Sequence, residues 1–377
     1  MNNMSKKAIA AGHICVDITP VFPAGRIKGP AEILIPGKLI NVGPAEVSIG
    51  GSVSNTGLAM KYFGIDVSLV GMVGDDAFGK MILTELKQYD AAEGIILSDE
   101  SSTSYTVVLA IPGTDRIFLH NPGANDDFCA DDIPTEKLEE ADLFHFGYPP
   151  LMKSVYENDG EELLKIMKRA KAAGCATSLD LAAVDPASPA GAADWGRILE
   201  RVLPCTDIFV PSVEELCFML DRARYDEWIS RSAGGDVTQV LDIEQDIVPL
   251  AEKAMGLGAK ILLIKCGTPG IYYETAGKAA LSEVGKALEL DADLWADKKG
   301  FEKSYVPERV LSGTGAGDTC IGAFLSALLK GYAPERAIRL AAAAGACCVS
   351  AYDARSGLKT FEEMEALIDA GWLKISG

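Results

Sequence analysis

The residues best suited to chemistry lie late in the chain, in Leu311–Gly331, LSGTGAGDTCIGAFLSALLKG. Gly313, Gly315 and Gly317 alternate with small residues, and Asp318 follows at once. Behind them Ile321, Phe324, Leu325, Leu328 and Leu329 fall on one helical face, and Gly331 stops the helix. A glycine loop feeding a helix start aims several unpaired N–H groups in one direction, with the positive end of the peptide dipoles behind them. That is an anion site suited to phosphate. An aspartate there is either a favourable helix-start charge or a base that takes a proton from an attacking hydroxyl. On this stretch alone, a helix cap after a loop and a phosphoryl-transfer site fit equally well.

Two early stretches tip the balance. Lys7 to Val16 reads as a buried first strand closed by Asp17, an acid at the edge where open α/β sheets bind ligands. Gly50-Gly51-Ser52-Val53-Ser54-Asn55 lets backbone approach a ligand closely before a short helix, Asn55 to Phe63. In a parallel sheet such loops gather along one edge. Asp17 and Asn55 would hold hydroxyl groups, the Gly315, Ala316 and Gly317 amides would steady charge on a moving phosphoryl group, and Asp318 would take the proton. The reaction this suits is phosphoryl transfer to an alcohol.

The elements that must position these residues are legible as alternation. Strand-like runs at Asp66–Val73, Asp142–Phe146, Ala176–Leu181, Asp207–Val210 and Lys260–Ile264 alternate with helical runs at Glu161–Ala173, Trp195–Leu203, Val213–Leu220 and Ile247–Leu257. This predicts an α/β fold, a mostly parallel central sheet with helices on both faces. Ile33–Ile35 and Glu46–Ile49 look like short strands, and Thr103–Ile111 with Arg116–Asn121 reads as a hairpin. Together they predict a small separate β-sheet, about 18–49 and 103–121, that covers the site as a lid. The whole chain, 1–377, reads as a single domain, with surface insertions at 221–246 and 274–307. Glu335–Ser350 and Phe361–Ala370 are the last helices; the small residues Ala341 to Gly345 admit either a flat ligand or close helix packing.

One motif is discarded. Gly74-Asp75-Asp76-Ala77-Phe78-Gly79-Lys80-Met81 matches a P-loop in outline but ends in Met where a hydroxyl should hold magnesium. Asp76 reads instead as the N-cap of a helix running from Ala77 to Tyr89.

Composition narrows the function classes. With 54 acids against 35 bases the formal charge is −19, which disfavours nucleic acid and anionic membrane surfaces. A phosphate site in such a chain must rely on local donors and a cation. No apolar run approaches a membrane span, and the first residues run straight into a strand pattern. Nine scattered cysteines without a CxxC fit a reducing, cytoplasmic setting. His13, His120 and His145 show no metal-ligand spacing and read as structural.

GTGAGDTCIGAF and GGSVSNTGLAMKYFGIDVSLVGMVGDDAFG, at opposite ends and in this order, resemble the two signatures of the ribokinase-like (PfkB) family of carbohydrate and nucleoside kinases. The resemblance runs over nearly the whole chain. It implies a ribokinase-like three-layer sandwich with a β lid, ATP and Mg²⁺ as cofactors, and transfer of the γ-phosphate to a hydroxyl of a sugar, polyol or nucleoside. It assigns Asp318 as base, Gly315, Ala316 and Gly317 as anion hole, and Asp17, Gly50, Gly51 and Asn55 to the substrate. Lys265, Gly267 and Gly270, in IKCGTPG, and Thr314 fall on the nucleotide side, and Glu215, in PSVEE, matches an acid associated with magnesium. A homodimer through the lid is a further implication.

Departures from the pattern fall outside that core. Ser312-Gly313 stand where the family has Asp-Thr, removing an aspartate linked with monovalent-cation activation. Cys15 replaces a polar residue, Ser212 replaces Asn before Glu215, and Leu181-Ala182-Ala183 follow Asp180 without the usual Asn and Arg. A nucleoside acceptor would need a stacking surface, for which Phe22, Tyr105 and Phe118 are candidates. A non-catalytic binding protein on the same fold is a third reading, set against the intact Asp318 and its glycines. A nicotinamide dehydrogenase is excluded, since no GxGxxG follows the first strand.

Overall fold

The computed structural model describes residues 6–22, 30–33, 35–111 and 117–375. Its strands are β1 (Lys7–Gly12), β2 (Cys15–Pro20), β3 (Ala45–Gly50), β4 (Asp66–Gly74), β5 (Ile95–Ser98), β6 (Tyr105–Leu109), β7 (Ile117–Asn121), β8 (Leu143–Gly147), β9 (Ala176–Leu179), β10 (Ile208–Phe209), β11 (Ile261–Lys265), β12 (Gly270–Thr275) and β13 (Lys299–Lys303). They form a 9-stranded sheet, β13-β12-β11-β10-β9-β8-β1-β4-β5, and a 4-stranded sheet, β3-β2-β6-β7. This is the mostly parallel central sheet with a separate small sheet that the sequence predicts.

From β11 to β5 the large sheet is parallel, because helical crossovers return the chain to the same edge each time. Such strands are buried on both faces, which is why they read as continuous apolar runs. Along β1, Ala8 and Ala10 face one core while Ile9 and Ala11 face the other. The first core lies under the helices Ser52–Tyr62 and Ala316–Leu329, the second under Lys153–Ala172, Trp195–Val202 and Val248–Gly256. The edge β11-β12-β13 is antiparallel.

Several expectations need correction. The first strand does not run on to Asp17. It ends at Gly12, whose φ of 122° suits glycine and where a β-carbon would strike the Gly147 carbonyl oxygen at 2.3 Å. Asn125 then clamps the link: its Oδ1 accepts the Ile14 N–H at 3.1 Å and its Nδ2 donates to the Ile14 carbonyl at 2.9 Å. Asp17 therefore sits within β2, on the small sheet. No strand forms at Ile33 or Ile35; Pro30–Glu32 is a 3₁₀ turn, and Leu34 lies outside the described residues. Glu46–Ile49 and the hairpin are strands as expected, though the hairpin's turn, 112–116, is outside the described residues.

The discarded P-loop is a helix start. Asp76 accepts the Gly79 N–H at 2.8 Å, then ties the loop to the lid by accepting the Thr103 N–H and hydroxyl, each at 2.7 Å. Ala341 to Gly345 are used for close packing: a β-carbon on Gly345 would lie 3.6 Å from the Ala316 carbonyl oxygen. Segment 221–246 carries the helix Arg222–Ser232 and is anchored by fully buried Trp228, whose Nε1 donates to Asp246 at 3.1 Å. Segment 274–307 supplies β13 and buries Trp295. All nine cysteines are free thiols. Among the described residues, no helix is long and apolar enough to cross a membrane.

Candidate active site

Gly315 caps the helix Ala316–Leu329 in the left-handed conformation, φ 74° and ψ 0°. A side chain there would collide with Ala354 at 2.3 Å, so the turn admits only glycine. The turn brings the first-turn amides together and drops Asp318 into the interior, 3% exposed. The Ala316 N–H points back to the Gly313 carbonyl at a long 3.4 Å, while the amides behind it belong to the unpaired set at every helix start.

The opposite wall is the helix Ser52–Tyr62, capped by Gly51 at φ 84°. A β-carbon on Gly51 would lie 2.5 Å from the His13 carbonyl oxygen, which already accepts the Val53 N–H at 3.1 Å. Asn55 and Thr56 leave this helix toward Asp318. Asn55 Nδ2 donates to Oδ2 at 3.0 Å and Thr56 Oγ1 to Oδ1 at 3.4 Å. Burial pushes the Asp318 carboxyl above its ordinary value, while Asn55, Lys265 and Tyr148 restrain the rise by favouring the charged form.

The lid supplies Asp17. Register places Asp17 opposite Ser48 on β3 and Thr106 on β6, and Thr106 opposite His120 on β7. These residues share one face of the small sheet. Cys15 Sγ donates to Asp17 Oδ1 at 3.5 Å, and burial raises the Asp17 carboxyl to about 6. Gly50 leaves room for it: a β-carbon there would fall 2.1 Å from Asp17 Oδ2. His13 and His120, read as structural from sequence, come together beside Asp17 with ring centres 5.2 Å apart. Thr106 Oγ1 lies 3.0 Å from His120 Nδ1, and Ser104 Oγ 3.3 Å from His13 Nε2. Burial holds both imidazoles neutral, His120 down to about 4 and His13 well below its ordinary value. His13 Nδ1 and His120 Nε2 are buried without a partner, as is Nε2 of His145, whose ring burial lowers to about 3.

On the far side Lys265 ends β11. Its Nζ donates to Asp180 Oδ1 at 2.6 Å, and a β-carbon on Gly317 would lie 3.9 Å from that Nζ. Burial works against the ammonium, but Asp180, Glu215 and Asp318 together hold it protonated. A bridge between Ser212 and Lys265 sets the next helix start, Val213–Leu220, alongside. There Glu215 Oε2 accepts the Ser212 N–H at 2.8 Å, leaving Oε1 outside the cap. Gly267, at φ 62°, faces Thr238. Gly270 lies in the sheet, where a β-carbon would strike the Glu302 carbonyl oxygen at 2.1 Å, so glycine is required there by strand pairing. Ser312 Oγ accepts the Thr314 N–H at 3.1 Å, bracing the glycine loop.

Asp318, Asn55, Gly315–Gly317 and Lys265 are thus gathered around one point, with Asp17, Gly50 and Gly51 on the lid side. Sequence reasoning missed Thr56, Tyr148 and the His13–His120 pair. Tyr148 carried a signal: an aromatic at the end of a predicted strand, directly before Pro149-Pro150, is backbone under restraint.

By family, the protein is a phosphotransferase with an alcohol group as acceptor. Residues 14–360 match the pfkB family carbohydrate kinase, and the chain belongs to that family. An uncharacterized sugar kinase of Archaeoglobus fulgidus is 23% identical over 296 residues, 78% of this chain and 95% of that one. Probable fructokinase-4 of Arabidopsis thaliana is 27% identical over 316 residues, 80% of this chain and 81% of that one. In three dimensions the chain is similar to Arabidopsis thaliana ribokinase complexed with ribose and ATP, with TM-score 0.70 and 21% identity over 97% of this chain and 99% of that one.

Proposed function

We propose that this protein transfers the γ-phosphoryl group of ATP to a hydroxyl of a sugar or related polyol. The observation that carries the reading is buried Asp318 at a glycine-turned helix start, met by Asn55 on the acceptor side with Lys265 across the Gly317 turn. Asp17 with the neutral His13 and His120 suits hydroxyl groups, offering acceptors and donors without a cation. Asp318 takes the proton as the hydroxyl oxygen attacks, and the first-turn amides with Lys265 stabilise charge on the phosphoryl group.

Mg²⁺ prefers oxygen ligands and is bound largely through phosphates and water in kinases. Glu215 Oε1 is a fitting hard donor for such an ion. When bound, the ion would neutralise phosphate charge. Thr314 and Gly267 belong to the same nucleotide half.

A nucleoside acceptor is the second reading. Phe22 is used in the lid's own core with Ile111, and Tyr105 packs on Phe78, but Phe118 lies on the His120 face of β7 and is 54% exposed. The lid face opposite Asp17 carries Val47, Ile18, Val107 and Leu119 in one register row; Ile18 packs on the main core, and we take the exposed ends, Val47 and Leu119, as the surface through which two copies pair.

An ATP-consumption screen across pentoses, hexoses, inositols and nucleosides, with products confirmed by mass, tests the proposal. A phosphorylated sugar or polyol is expected. Phosphorylation of nucleosides alone would select the second reading, and no phosphorylated product from any acceptor would refute the kinase assignment.

A further inference from the structure

Tyr148 closes the Asp318 carboxylate. Its hydroxyl lies 2.8 Å from Oδ1 and 2.8 Å from Oδ2. Thr56 also reaches Oδ1, and Asn55 also reaches Oδ2. A carboxylate offers about four acceptor positions and the phenol has one proton to share between the two oxygens, so three donors fill most of them, with the phenol bridging both oxygens. An acceptor hydroxyl that reaches Asp318 competes with the phenol for the space before the two oxygens.

Asn55 and Thr56 are fixed on the first turns of a buried helix, whereas Tyr148 stands on a turn outside regular structure. That turn is held in an unfavourable form. Tyr148 has φ 67° and ψ 42°, left-handed backbone in a bulky residue, and it directly precedes a proline. Strain of this kind persists where surrounding structure enforces it, and it clusters at functional sites. Burial, followed by the nearby Asp318 and Asp180 charges, raises the phenol far above its ordinary value, so the group remains a donor. The ring also borders the acceptor side, its centre 6.0 Å from that of His13.

We propose that Tyr148 guards the base: its phenol occupies the place of the acceptor hydroxyl on Asp318 until an acceptor displaces it, and so prevents water from being activated against ATP. The inference rests on the reading of Asp318 as base. The reaction it suppresses is hydrolysis. A water proton passes to the Asp318 carboxylate, the water oxygen bonds to the γ-phosphorus, and the bond from that phosphorus to the β–γ bridging oxygen breaks. ADP leaves with that electron pair, inorganic phosphate forms, and the proton returns to solvent. A polyol with several anchoring hydroxyls can displace the phenol, whereas a single water has only one bond to offer in exchange.

The test is ATP hydrolysis without any acceptor, measured with Mg²⁺ for wild type, Tyr148→Phe, Asp318→Asn and the double variant, with folding checked by thermal melting. Phe keeps the ring and removes only the hydroxyl. Hydrolysis in Tyr148→Phe should rise by roughly tenfold, the scale of one charge-assisted hydrogen bond, and the double variant should lose that rise. Should Tyr148→Phe not fold, Tyr148→Leu is read in the same way. Unchanged or slower hydrolysis in a folded variant would overturn the proposal, as would a rise that survives Asp318→Asn. Failure of the kinase reading shows separately, as a wild-type protein that phosphorylates no acceptor in the screen.

Discussion

Gly50 lies so close to the Asp17 carboxylate that a β-carbon at position 50 would come within 2.1 Å of Oδ2. The two are joined through the lid ladder, where β2 and β3 pair antiparallel. On the proposed function, glycine at 50 serves the acceptor site through the space it leaves. Gly50→Ala should force Asp17 to turn away and raise the acceptor KM by about tenfold, the loss of one charge-assisted hydrogen bond, with little change in the KM for ATP. Steady-state kinetics with the two substrates varied in turn checks this, and an unchanged acceptor KM would remove Asp17 from the site.

Asp17 also sets a pH dependence. Its folded value of about 6 lies above the ordinary 3.8. The folded protein therefore holds this proton more tightly than the unfolded chain. Between about 4 and 6 its contribution to stability falls as pH rises. Activity should move the other way, because the carboxylate form accepts substrate hydroxyls. The acceptor kcat/KM should fall as pH drops through about 6, approaching tenfold per unit. His120, lowered to about 4, stays neutral across this range and does not mask the limb. A pH–rate profile of Asp17→Asn should lack the limb; if it persists there, another group is responsible.

The lid's outer face leads to a prediction about assembly. Val47 and Leu119 are 43% and 53% exposed at the two ends of an apolar register row. Leu119→Asp would put a charge into any interface built on that row. Sedimentation should show a wild-type dimer and a Leu119→Asp monomer. A wild-type monomer at assay concentration would contradict pairing through the lid.

Much of this was legible in the sequence because it rests on local rules. The alternation of apolar runs and helical faces gave the parallel sheet, and the glycine loop before Asp318 gave the helix start and its buried acid. The Asp76 cap could be told from a phosphate loop by one missing hydroxyl. Other features depend on tertiary placement. Asp17 looked like the end of the first strand because the apolar run from Lys7 to Val16 is continuous; only the Gly12 turn and the Asn125 clamp move it into the lid. The His13–His120 pair joins the link between β1 and β2 to β7, more than a hundred residues away in sequence, and has no local signature. The antiparallel edge was hidden because β13 is short, charged and only partly buried.

Asp318 is where all of these elements meet, so replacing its carboxylate is the most direct test. Asp318→Asn keeps the size and the planar shape of the group and removes its ability to take a proton. With an acceptor identified by the screen, turnover of Asp318→Asn should fall by about 100- to 10,000-fold, the range for loss of a general base, with ATP affinity by calorimetry unchanged. Turnover near the wild-type rate in that variant would contradict the account.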